Sequence, residues 1–193
     1  MYKKGFSLIE LLVCLTILSI VIVIGMGLLL ATNASVGASR AQRRSMDNLN
    51  FAIESMSRSI TYGTDFSCNG GSSNSSCPVN GSPSGIDNLT FNGYYLSGGS
   101  PIQIKYSLGT KAVGSNPDLG YIARTVNSGT PVSLTDDRVD IQELYFYVYH
   151  AEDFGTDPEQ PRVTVVIRGV SKASGTDQEF FIQTTLSQRD LKL

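Results

Sequence analysis

The chain has 193 residues, enough for one membrane-anchoring segment and one modest folded domain. A net charge of −2 excludes a generally basic nucleic-acid binder. Tryptophan is absent, and there is a single histidine, His150.

The first element is an apolar stretch at residues 6–30, preceded by Lys3-Lys4-Gly5 and interrupted by one carboxylate, Glu10. As a helix it extends roughly 37 Å, against a bilayer hydrocarbon core of about 30 Å. A charge inside such a segment costs on the order of 2.5–3.5 kcal/mol at the centre and less near the end, so Glu10 needs a partner. A secretory signal peptide is one reading. However, the apolar run exceeds the usual 7–15 residues or so, and the small-residue cleavage candidates at 31–38 lie beyond a full span. A plain anchor is another, with Glu10 complementing the positive end of its helix dipole.

The run Lys3-Lys4-Gly5-Phe6-Ser7-Leu8-Ile9-Glu10 also resembles the N-terminus of type IV prepilins. That family's pattern is a short basic leader ending in Gly, then Phe, then Glu at the fifth mature position, then a hydrophobic helix. The resemblance covers about the first 30 residues. It implies cleavage between Gly5 and Phe6 by a membrane-embedded prepilin peptidase, and N-methylation of Phe6. Cleavage frees an α-amino group that is positive near neutral pH. Glu10 would then pair with the amine of a neighbouring subunit, so that each charge is neutralised only in an assembly. Lys3 and Lys4 favour a cytoplasmic N-terminus, but Arg40, Arg43 and Arg44 flank the other end, so orientation rests on the motif. A solvated helix face is the default for that basic collar, ahead of a DNA contact.

Residues 31–39 are small and polar, and Gly25 and Gly27 each lower helix propensity by about 1 kcal/mol relative to Ala. A second helical half follows. Met46, Leu49, Ile53, Met56 and Ile60 form an apolar stripe, with Arg43–Asp47 and Glu54–Arg58 as i,i+4 pairs. Gly63 marks its end.

Cys14 lies in the apolar segment, whereas Cys68 and Cys77 bracket a loop of Ser, Asn and Gly. A disulfide between them would remove loop-closure entropy worth roughly 2–3 kcal/mol and requires an oxidising compartment. Residues 67–85 read as a long loop. Beyond it the period changes to two, with strands expected at 89–91, 102–108, 121–126, 132–134, 140–150, 162–170 and 180–186. Short connections favour antiparallel pairing. In the longest strand Leu144, Phe146 and Val148 share the face expected to meet the helix. Tyr145, Tyr147 and Tyr149 share the other, either as a subunit contact or covered by a further layer or loop.

No catalytic constellation emerges. His150 lacks a nucleophile motif, and Glu152, Asp153, Asp157 and Glu159 read as a solvated acidic turn whose spacing matches no calcium loop. No metal or cofactor is expected, and the chain does not read as an enzyme.

The expected fold is α+β and pilin-like, a long N-terminal helix packed on an antiparallel β-sheet head. Its parts are a leader at 1–5, a transmembrane half-helix at 6–30, a soluble amphipathic half at 31–63 and a β-rich extracytoplasmic head at 64–193. Residues 138–190 are similar to the J-type minor pseudopilins of type II secretion and to related minor pilins. The similarity lies in Leu144-Tyr145-Phe146-Tyr147-Val148, Gln160-Pro161-Arg162-Val163-Thr164-Val165 and Gln183-Thr184-Thr185-Leu186-Ser187-Gln188-Arg189. The resemblance implies a minor pilin or pseudopilin that helps build a filament. Its partners would be the peptidase, other pilin subunits, an inner-membrane assembly platform and membrane lipid. A membrane-tethered binding module that never polymerises is the alternative.

Overall fold

The computed structural model describes residues 7–68, 77, 86–93, 101–114, 116–151, 159–172 and 177–189. Gly5 and Phe6, most of the 67–85 loop, and Glu152, Asp153 and Asp157 lie outside them. The chain divides into two compact units, Met1–Ala41 and Gln42–Leu193.

Helix α1, Leu8–Thr61, runs unbroken through Gly25, Gly27 and the small-residue stretch. Its last turns carry the expected stripe. Leu49, Met56 and Ile60 are fully buried, and Met46 and Ile53 pack against them. Ala52 and Ser45 are buried as well. Arg58 Nε pairs with Glu54 at 2.8 Å, but the expected Arg43–Asp47 pair does not form. Such exposed pairs contribute only tenths of a kcal/mol, and water competes with them. The helix ends as expected at Gly63, for a different reason. A Cβ there would stand 2.4 Å from the Phe91 ring, so the position needs a residue without a side chain.

Among the described residues the strands pair antiparallel throughout and form two sheets rather than the single one expected. The first has the order β1-β2-β3-β4-β5, with β1 Thr64–Cys68, β2 Asn88–Gly93, β3 Ile102–Val113, β4 Asn116–Val126 and β5 Val132–Ser133. The second has the order β6-β7-β8, from Val139–Tyr149, Arg162–Ser171 and Gln178–Ser187. β1 was not anticipated. It follows the helix directly, with Asp65 at φ 55° and a register shift between Thr64 and Ser67. Its anchor is Phe66, which begins an aromatic row across three strands. Ring centroids are 5.6 Å apart for Phe66–Phe91 and 5.8 Å for Phe91–Tyr106.

The sheets separate because the free edge of β4 is already occupied. Leu134 N donates to Ile122 O at 2.9 Å, and Ile122 N donates to the Thr135 hydroxyl at 3.3 Å. β6 therefore meets β4 through a side chain instead of a ladder, with Gly120 N donating to Asp140 Oδ1 at 2.9 Å. Lys172 Nζ holds the other carboxylate oxygen at 2.7 Å. Two glycines admit this part of β6: a Cβ on Gly120 would lie 1.8 Å from Ile141 O, and one on Gly169 would lie 2.4 Å from Asp140 O. Leu144, Phe146 and Val148 point into one core with Leu49, Met56 and Ile60, as the alternation predicts. On the opposite face Tyr145 and Tyr147 are half-buried and Tyr149 is exposed.

Cys68 and Cys77 form a disulfide, with Cα atoms 6.5 Å apart. Cys77 also bridges to Val148 and Ile86 bridges to Phe146, so backbone on both sides of the loop lies along the open edge of β6.

Substituting Gly120 by Ala should lower unfolding stability by at least about 2 kcal/mol, because backbone rather than a yielding side chain opposes the new methyl. Urea unfolding of the full chain in detergent checks this. An unchanged midpoint would mean that β4 and β6 are not in close contact.

Candidate functional site

Ser7 immediately precedes α1, and its carbonyl accepts from the amides of Glu10 at 3.1 Å and Leu11 at 3.3 Å. Glu10 thus stands in the first turn, where a carboxylate opposes the positive pole of the peptide dipoles. From there to residue 30 large apolar side chains cover the helix on all sides and are exposed. Among the described residues α1 is the one helix long and apolar enough, by length and composition, to cross a membrane, and its most apolar window is not buried.

Polarity within this surface is handled locally, with one exception. The Thr16 hydroxyl donates to Val13 O and the Ser19 hydroxyl to Leu15 O, both at 2.8 Å, which removes them from competition for outside partners. Cys14 is a free, exposed thiol. Glu10 is the only charge in the stretch, and its carboxylate has no hydrogen bond or ion pair among the described residues. No group of acids, histidines or cysteines that could hold a metal occurs among them.

The other sequence candidates separate. His150, at φ 56°, sits at the end of β6 with Nε2 3.2 Å from Glu159 Oε2, and the same oxygen is 3.2 Å from Arg162 Nη2. That cluster joins the ends of β6 and β7. Arg40, Arg43 and Arg44 are exposed on the helix.

The head holds a concavity that the strand alternation did not single out. It has a volume of about 290 Å³ and opens between the end of α1 and strands β2 to β4, with Arg58, Tyr62, Ile104 and Arg124 in its wall. Tyr106 and Arg124 form a direct cross-strand pair beside it. The signal was present in the sequence. Arg124 alternates with Ile122 and Val126 on the core-facing side of β4, where an apolar residue is the norm. Tyr106 is fully buried, and its hydroxyl makes no well-formed hydrogen bond among the described residues, its interaction with the Ser59 hydroxyl being a weak one. Burial raises its pKa, while the nearby Ser59 hydroxyl and the Arg124 charge pull it back. Ser59 itself donates to Ser55 O at 3.0 Å.

Residues 1–26 match the family model of the prokaryotic N-terminal methylation motif. Comparison with curated proteins and with solved structures returned no match. The motif, the apolar helix and the antiparallel head together support a type IV pilin-like protein. The motif and the helix also support membrane anchoring.

The buried hydroxyl makes a testable difference. The folded chain keeps Tyr106 neutral while the unfolded chain ionises it at about pH 10. Its contribution is therefore complete below about pH 10 and is lost as pH rises through the raised folded value. Tyr106→Phe should leave stability within about 1 kcal/mol of wild type at pH 8 and remove part of the alkaline decline. Unfolding midpoints of both proteins between pH 8 and 11 decide it. Parallel declines would show that Tyr106 ionises as freely in the fold as in the unfolded chain.

Proposed function

We propose that this chain is a minor pilin or pseudopilin subunit. It is cleaved after Gly5 by a prepilin peptidase, methylated on Phe6, and assembled through its hydrophobic helix into a type IV pilus or a type II secretion pseudopilus. Before assembly it spans the inner membrane once, with its N-terminus in the cytoplasm and the head outside. The observation that carries this reading is Glu10, a carboxylate without a partner among the described residues on an otherwise apolar helix surface. The amine released at Phe6 is the complementary charge. Pairing of Glu10 with the amine of a neighbouring molecule would satisfy both charges and set the stagger of neighbouring helices. The disulfide of the head fits an oxidising compartment. The aromatic strand of β6 and the final strand running into Arg189 favour a J-type or related minor subunit over a shaft subunit.

Intact-mass measurement of protein from its native membrane should find residues 1–5 missing and one methyl group added. Recovery of the full-length chain from working assemblies would sink the reading. Glu10→Ala should reduce incorporation into sheared filaments roughly tenfold or more while leaving the amount in the membrane unchanged. A non-polymerising tether would show no filament fraction for either protein and no dependence of function on Glu10.

A further inference from the structure

We infer that the concavity around Arg124 is a binding site for a carboxylate carried on an apolar stem. Neither leader cleavage nor polymerisation enters into it, because all of its residues belong to the head unit.

Arg124 is half-buried on the core-facing side of β4, and its guanidinium takes part in no ion pair or hydrogen bond among the described residues. A guanidinium keeps its proton at any accessible pH, so the charge cannot be shed. Its Nε is buried without an acceptor among the described residues. The cross-strand neighbour Tyr106 does not supply one, because its hydroxyl lies by the Ser59 hydroxyl and outside the wall of the concavity. A buried donor left without an acceptor is costly, and what the guanidinium lacks is an acceptor.

The other cation in the wall does not share that need. Arg58 is already matched by Glu54 at 2.8 Å, which leaves one positive charge in the wall uncompensated among the described residues. One charge suits a singly charged carboxylate better than a dianionic phosphate, and the guanidinium fork fits a carboxylate in two parallel hydrogen bonds. The remaining wall includes Ile102, Ile104 and the ring of Tyr62. An aliphatic stem would cover these surfaces. Such a carboxylate can come from an acidic side chain of a neighbouring protein or from a small organic acid, and the same chemistry receives either.

Propionate serves as the probe, with the full chain in detergent at pH 7 and constant ionic strength. Melting is followed in propionate, phosphate and chloride for wild type, Arg124→Gln and Arg124→Lys. Wild type should melt higher in propionate than in chloride, and Arg124→Gln should bind propionate at least tenfold more weakly. In chloride Arg124→Gln should melt at or above wild type, since an unpaired half-buried charge is removed. A purely structural arginine would give the opposite sign. Arg124→Lys should keep a reduced propionate response, which guards against loss of fold as the explanation. No propionate response in wild type, an equal response in Arg124→Gln, or a phosphate response larger than that of propionate would each overturn the assignment. A photo-reactive residue at Ile102 in native membranes then separates the sources. An adduct with another protein that disappears in Arg124→Gln assigns a protein carboxylate. Absence of that adduct, with the propionate response intact, assigns a small acid.

Discussion

A carboxylate on a bare apolar helix has no comfortable resting state in hydrocarbon, and this constraint organises the N-terminal segment. The hydroxyls of Thr16 and Ser19 close on their own helix and ask nothing of a neighbour. Glu10 cannot do so, because its side chain accepts hydrogen bonds and the nearby backbone acceptors offer it nothing. Relief comes from the dipole of the first turn, from the membrane surface, or from another molecule. An apolar surface on every side suits a helix set in lipid whichever of these applies.

The head follows a different economy, in which close approach of backbones replaces a continuous sheet. Residues 134 and 135 close the open edge of β4, so β6 joins no ladder with it and is held by Asp140. Gly120 and Gly169 stand on either side of that contact because nothing larger fits. The helix stripe then serves both sheets at once, as Leu49, Met56 and Ile60 share a core with Phe91 and Phe146.

Much of this was legible before the structure. The Met46-to-Ile60 stripe and the alternations at 102–108 and 140–150 give helix and strands directly, because each has one dry face. The disulfide was readable from a loop without apolar content. β1 was not, since Thr64-Asp65-Phe66-Ser67-Cys68 is short and bulged and its strand character comes from pairing with β2. The division into two sheets was hidden for a similar reason: it depends on which edge residues 134 and 135 occupy, a long-range choice that no local pattern encodes. Arg124 was visible as an oddity in the alternation, yet its meaning required the neighbouring Tyr106 and the already satisfied Arg58. The i,i+4 rule suggested Arg43–Asp47, and solvent outweighed it.

The clasp along β6 has one more implication. Cys77 and Ile86 exchange backbone hydrogen bonds with Val148 and Phe146, and the sulfur bridge ties the first of them to the end of β1. Oxidation therefore does more than shorten a loop, because it helps keep a covering over the margin of the most apolar strand in the head. A molecule still reduced would have that margin less firmly covered, leaving a template on which a stray extended segment can pair. Thiol chemistry and protection against misassembly are, in this domain, the same event.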